Sequence, residues 1–499
     1  MRQPIRSGIL ACALCLLAAA STGLAGTFYV SPTGSDLAAG DATHPWLTLQ
    51  KAANVVTGGD TVNVLPGNYT GFDLARSGKP DRQITFLAQP GVFITANNPS
   101  TPDGINLEGA SYVTIDGFNA SGRGRAGIRS VCNNGVVLRN NTCDSNATWG
   151  ILTGFSSDLL IENNICSRSG TQHGIYIGNS SDNITLRRNV CWGNYGCGIH
   201  MNGDINTTWP GHTIDGLMQN VLVEGNILYG NGSGGGASIN GDGVQDSIIR
   251  NNLIYNAYNN SGIALYDGDG SAGPKNDLVQ NNTVLMASTG GWCLNISSPA
   301  GANYAYNNIL YNSHSWRGSI EYDRTTGLVS DYNVVMDRFS TDSAGSRIGL
   351  GAWRTATGQD AHSIIATPTA LFVDPANNDY HLKGGSPAID VGSTVNGAAT
   401  DLRGVLRPIK NGTDIGAYEF ILAGDANCDG AVRFADYQVL EANFGKAGAD
   451  WAMGDFNDDR SVTFADYQLL ESNFNLSLPE PASLTLLLAG AGMFLRRGQ

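Results

Sequence analysis

A motif of the form apolar-x-apolar-x-x-Asn-apolar returns along the chain from Asn141 to Asn333, and it leaves few folds open. Val136-Val137-Leu138-Arg139-Asn140-Asn141 comes back as Leu159-Leu160-Ile161-Glu162-Asn163-Asn164 and Ile184-Thr185-Leu186-Arg187-Arg188-Asn189. Val221-Leu222-Val223-Glu224-Gly225-Asn226, Ser247-Ile248-Ile249-Arg250-Asn251-Asn252 and Leu278-Val279-Gln280-Asn281-Asn282 follow, then Tyr306-Asn307-Asn308 and Tyr332-Asn333. The second Asn steps by 23 to 37 residues. Short alternating apolar runs are strands, and a fixed return distance means one coil per repeat. A column of Asn at one corner can stack its amides in a ladder. A second column opens on Gly: Gly127-Ile128, Gly150-Ile151, Gly174-Ile175, Gly198-Ile199, Gly236-Ala237 and Gly262-Ile263. The reading is a parallel β-helix, mainly β, with one long face suited to an extended polymer.

Gly 65 in 499 residues is about twice the usual frequency, as many tight corners require. The net charge of -14 argues against nucleic acid as a partner. About half of it falls between Gly424 and Asn475, where 10 acids face 3 bases. The first 25 residues read as a signal peptide: Arg2 and Arg6, an apolar stretch, then Gly23-Leu24-Ala25. Cys143, Cys166 and Cys191 each lie two residues after a ladder Asn, where later coils hold Leu228, Ile254 and Val284. They are expected inside the coil as small apolar side chains, ahead of a disulfide.

Residues 26–420 divide into an N-terminal cap, the coils, and a turn-rich stretch containing Ser386-Pro387-Ala388-Ile389-Asp390 and Asp414-Ile415-Gly416-Ala417-Tyr418-Glu419, expected to close the far end. Caps and Asn coils together resemble the right-handed parallel β-helix proteins of the pectate-lyase-like superfamily. That superfamily holds lyases, hydrolases, epimerases and non-catalytic proteins, so the resemblance speaks to fold more than chemistry. At the other extreme, residues 479–499 read Pro479-Glu480-Pro481, an apolar run, then Arg496-Arg497. This order resembles the PEP-CTERM sorting signal. It implies export, processing by an exosortase, and a secreted or cell-surface location.

Between Gly424 and Asn475 two acidic loops are 30 residues apart. Asp425, Asn427, Asp429 and Asp436 occupy loop positions 1, 3, 5 and 12, and Asp455, Asn457, Asp459 and Asp466 repeat them. Calcium takes six to eight oxygens, and this spacing wraps them round one Ca2+ ion. Each loop runs into a helix, Phe434 to Phe444 and Phe464 to Phe474. The Asp ending and the single helix per loop resemble a type I dockerin, which implies a cohesin-like or surface-matrix partner. Arg460 stands where the loop pattern has Gly. The pairs Phe434-Ala435 and Phe464-Ala465 depart from the residues that usually read a cellulosomal cohesin.

On the Gly-started strands, the residue after the Ile points outward. The expected row is Arg129, Leu152, Tyr176, His200, Ser238 and Ala264, followed by Asn202, Asn240 and Tyr266, then Asp204, Asp242, Asp267 and Asp269. With coils about 4.8 Å apart, Tyr176 should neighbour His200, Asn202 should neighbour Asn240, and Asp242 should neighbour Asp267 or Asp269. The longest gap, containing Trp209, Pro210 and His212, lies beside this patch. Two chemistries fit an acidic polysaccharide substrate. A lyase takes the proton beside a uronate carboxylate, with His200 or Lys275 as base, Tyr176 protonating the leaving oxygen, and calcium on Asp242, Asp267 and Asp269 holding the carboxylate. A hydrolase needs two carboxylates, for which Asp204 and Asp242 are candidates, although the Asn-Thr-Asp and Gly-His-Gly motifs of polygalacturonases are absent. A non-catalytic surface glycan-binding protein is the third reading.

Overall fold

Successive turns of the solenoid lay short strands on three parallel sheets. The computed structural model describes residues 25–409, 411–457 and 459–478. The sorting signal and all but the last residue of the signal peptide lie outside them. Sheet 1 has 12 strands, from Thr27–Val30 to Leu328–Asp331; sheet 2 has 9, from Thr142–Asp144 to Ile364–Ile365; sheet 3 has 11, from Phe72–Asp73 to Phe339–Ser340. The N-terminal strand pairs with Thr61–Val64, so the N-terminal segment supplies the first rung. Helix α1 (Leu49–Val55) covers that end with Leu49, Ala52 and Ala53 buried.

The core is a set of stacked columns. Ile151, Ile175, Ile199, Ile239 and Ile263 are paired rung to rung on sheet 3 and fully buried. Cys143, Cys166 and Cys191 stack on sheet 2, continued by Leu228, Ile254 and Val284, and all are free thiols or aliphatic groups without exposure. Each such side chain contributes roughly 1.5–3 kcal/mol of burial.

The corner between sheets 1 and 2 explains the Asn pairs. The first residue of each pair is left-handed: Asn140, Asn163, Asn251, Asn281 and Asn307 have φ between 52° and 57°, a conformation Asn tolerates better than most residues. The second is buried. Its Nδ2 donates to the Oδ1 of the next Asn and to a carbonyl of the preceding coil, as Asn226 does to Asn252 and Leu186, both at 2.9 Å. The ladder runs unbroken from Asn141 to Asn333. A second, shorter ladder that the repeat did not reveal stands between sheets 2 and 3, where Asn194 Nδ2 donates to Asn231 Oδ1 at 2.9 Å.

The far end is closed differently from expectation. Helix α2 (Leu350–Thr357) caps the last rung with Trp353, which is fully buried and stacks on Phe339 with ring centroids 4.9 Å apart. The segment 386–419 instead runs as a strap along the flank. Asn251 Nδ2 donates to Thr400, Asn307 Nδ2 to Ser393, and Ala417 N to Thr283 Oγ1. The left-handed Asn corners leave those amides facing outward, which is why the strap binds there. Beyond α3 (Pro368–Leu371) and the strap comes a two-helix unit, α4 (Phe434–Asn443) and α5 (Phe464–Asn473), each entered through an acidic loop. Among the described residues no helix is long and apolar enough to cross a membrane.

Candidate active site

The outer row of sheet 3 reads Leu152, Tyr176, His200, Asn240, Ala264, Asn295, Glu321 in direct register. Tyr176 adjoins His200 as expected. The next rung is shifted by two residues, because Ile239 rather than Ala237 pairs with Ile199. Ser238 therefore takes the Gly place, and the extra residues Gly234, Gly235 and Gly236 form a corner. Asn240 consequently sits beside His200, and Asn202 pairs with Asp242, which pairs with Tyr266. A two-residue slip preserves the face, so the patch survives with different neighbours.

Two walls flank this face. The corners that precede the strands contribute Thr171, Gln172, His173, Tyr195 and Gly234 to a groove of about 570 Å³, floored by His200, Asn240, Ala264, Tyr266 and Asn295. Asn240 Nδ2 donates to the Tyr266 hydroxyl at 2.7 Å. The corners that follow the strands carry the predicted carboxylates.

A chain of hydrogen bonds fixes the protons on two histidines. The backbone N–H of Cys197 can only donate, and it lies 2.9 Å from His173 Nδ1. Neutral His173 therefore carries its proton on Nε2, 3.0 Å from His200 Nδ1. His200 in turn must hold its proton on Nε2, a buried atom with no partner. Burial lowers His200 to about 4, and burial, then the neighbouring His200, lowers His173 to about 3, so both rings are neutral at pH 7. His173, Cys197 and His200 present ligand atoms within 4.8 Å of one another. The donor set suits zinc, yet a zinc-bound His normally donates its second N–H outward, whereas His173 Nδ1 accepts. The second nitrogen thus argues for a proton-fixing relay over a metal centre.

The carboxylates divide into tied and free. Asp242 is 2 % exposed, and its oxygens accept the N–H groups of Gly268, Asp269 and Gly270 at 2.7–3.1 Å. Asp204 accepts from the N–H groups of Asn206 and Thr207, the Thr207 hydroxyl and Asn179 Nδ2. Both carboxylates thereby shape the loops that donate to them. Asp267 and Asp269 are exposed. Burial raises the phenol of Tyr176, and the charges of Asp204, Asp269 and Asp242 add to it. Burial likewise pushes Tyr266 up to about 12. Lys275 is exposed at the corner paired with Gln245 and lies outside the residues lining the His200 groove. The long insertion folds over Phe155, with Trp209 and His212 ring centroids 5.7 and 6.0 Å away. Trp292 is buried against Trp316.

One residue on this face escaped the sequence reading. Glu321 is 2 % exposed, takes Asn295 Nδ2 on one oxygen and leaves the other unpartnered. Burial, then the charge of Asp323, pushes it up to about 7. Its signal was weak because Glu321 lies beyond the Gly-started column.

In the acidic loops, Asp425 Oδ2 accepts from Gly430 N at 2.7 Å and Asp455 Oδ2 from Arg460 N at 2.8 Å. Asp436 and Asp466 each accept from the backbone ahead of their helix, at Arg433 and Thr463. Asn427 and Asn457 accept from Asp429 and Asp459. Burial, then repulsion from Asp436 and Asp429, pushes Asp425 up to about 6. Oxygen donors at equivalent places and crowded carboxylates fit a hard cation.

Comparison with known proteins agrees with the geometry. Residues 87–219 match the family model described as "Right handed beta helix region". The chain is a parallel β-helix. The crystal structure of pectate lyase Pel9A is similar at 15% identity and a TM-score of 0.55, over 79% of this chain and 96% of that one. An alginate lyase from Paenibacillus sp. str. FPU-7 is similar at 17% identity and a TM-score of 0.40, over 59% of this chain and 97% of that one. XylC in complex with xylose is similar at 11% identity and a TM-score of 0.47, over 79% and 98%. Comparison with curated protein sequences finds no match.

Proposed function

We propose that the outer face of sheet 3 binds and cleaves a uronate-containing polysaccharide by β-elimination. The observation that carries this reading is the fixed tautomer of His200: a neutral ring whose Nε2–H is buried without a partner in a polar groove. A neutral imidazole N–H is a donor suited to a carboxylate whose charge builds in the transition state. His200 therefore serves as that donor in place of the base, with the Asn240 amide beside it. Tyr176, kept protonated by its raised pKa, delivers a proton to the leaving oxygen. Asp269 takes the proton beside the carboxylate: it is exposed and its charge reaches both Tyr176 and Tyr266. Asp267 and Lys275 are both exposed. Removing one donor of this kind costs about 10²–10³ in kcat.

The hydrolase reading is less well supported, because Asp204 and Asp242 are tied to loops. The acidic loops are read as two calcium sites in a dockerin-like unit, with Arg460 weakening the second; the resemblance carries a matrix or cohesin-like partner with it. Export, sorting by an exosortase and surface location rest on the two terminal segments.

The assay follows unsaturated products near roughly 235 nm, where the double bond left by proton abstraction absorbs. Wild type should give signal on at least one uronate polymer. His200→Ala and Asp269→Asn should lose it while keeping the wild-type circular dichroism. Reducing ends without absorbance would make the protein a hydrolase. Binding with neither would make it a glycan-binding solenoid.

A further inference from the structure

We propose that the two acidic loops form a calcium-dependent lock on the strap that flanks the solenoid, with Trp451 as the part that passes loop occupancy to the strap. The inference rests on the calcium reading of the loops.

The two-helix unit is packed on the strap. Val405, Ile409 and Ile421 share one buried core with Val432, Leu440, Trp451, Phe456, Val462 and Leu470. Trp451 stands at the meeting point of three elements. Its Nε1–H donates to the backbone carbonyl of Asp425, position 1 of the first loop, at 2.7 Å in a buried setting. Its ring meets Phe456, position 2 of the second loop, edge-on at 5.3 Å, and Phe456 N donates to Asp466 Oδ1, position 12 of that loop, at 2.8 Å. On its other side lies the guanidinium of Arg403, 4.7 Å from the Trp451 ring and 5.3 Å from Tyr418. Arg403 belongs to the strap, ion-paired with Asp401 and donating to the Glu419 carbonyl.

The strap then reaches the coils through Asn251, Asn281 and Thr283. An ion in each loop, drawing in Asp425 in the first and Asp466 in the second, would order both loop neighbours of one indole. That indole is the face on which a strap cation rests, and such a cation–π contact strengthens when desolvated. A unit tethered by a free linker would have no such path.

Hydrogen exchange of the full chain, read by peptide mass in calcium chloride or in EGTA, tests this. In wild type, calcium should slow exchange in residues 424–475 and also in the strap, 400–421, by about tenfold when present at ten times its Kd. Trp451→Phe and Arg403→Met should keep the effect within the loops and lose it in the strap. Slowing confined to 424–475 in wild type, or strap protection unchanged in both variants, would overturn the lock. Absence of slowing anywhere would overturn the calcium reading beneath it.

Discussion

Glu321 and His200 stand on one row of sheet 3 and answer pH in opposite senses. Glu321 has its folded pKa raised, to about 7 from 4.5. The native state therefore holds this proton more tightly than the unfolded chain, and stability falls as pH rises from about 4.5 to 7. Glu321→Gln should gain on the order of 2 kcal/mol over wild type at pH 8.5, after discounting for solvent screening. The gain should vanish near pH 4.5; urea midpoints at the two pH values measure it. His200 has its folded pKa lowered, to about 4 from 6.5. Its contribution is present above 6.5 and is lost as pH falls toward 4. Side-chain ¹⁵N spectra should show His200 protonated on Nε2 alone at pH 7. His173→Phe, which removes the donor to His200 Nδ1, should yield a mixture of tautomers; a ring unchanged in that variant would contradict the relay. The residue types of this site were legible because Tyr, His and Asn are conspicuous on a Gly- and Ser-rich coil. Their roles were not, since a tautomer depends on which backbone N–H comes within reach, and Cys197 N reaches His173 only after folding.

At the level of the corner, conformation and burial are separable by substitution. Asn163 is exposed with φ 54°. Asn163→Gly should be close to neutral and Asn163→Val should cost about 1–2 kcal/mol, the penalty for an unsuitable residue in the left-handed region. Its buried partner differs in kind. Asn226→Leu would strand Leu186 O, Asn189 N and two neighbouring amides, at a cost of roughly 3–5 kcal/mol. Denaturant melts of the three variants check both statements. Arg460, with φ 67° where Gly430 has 79°, predicts that Arg460→Gly tightens calcium at the second loop, read by calorimetry. The Asn ladder was legible because each rung repeats one residue at one corner. The register of the 236–240 rung was not, because Ser238 stands in the Gly place while Gly236, two residues earlier, mimics it. Nor was the strap, whose turn-rich sequence says that it binds something without saying where.

Across the whole molecule, a solenoid has two ends and a side, and each is treated differently. The insertion 205–215 on the side is mostly exposed and joined to its surroundings by few bonds, such as Ile205 N to Asp269 O. A single proteolytic cut there should leave the melting midpoint unchanged while altering KM for the polymer. The C-terminal end is finished with care. Asn333 N donates to Ser363 Oγ, its Nδ2 to Asp360 Oδ1, and Ser330 N to Gln359 Oε1. Trp353 Nε1 holds Asp360 from above. Without these partners the last rung would offer open strand edges and an unfinished column of amides, the same surface on which every earlier rung was laid. Such a surface is a template. Residues 350–363 thus act as a chain stopper: with Trp353→Ala, light scattering should reveal concentration-dependent association through the opened C-terminal end, limited to pairs because α1 still covers the other end.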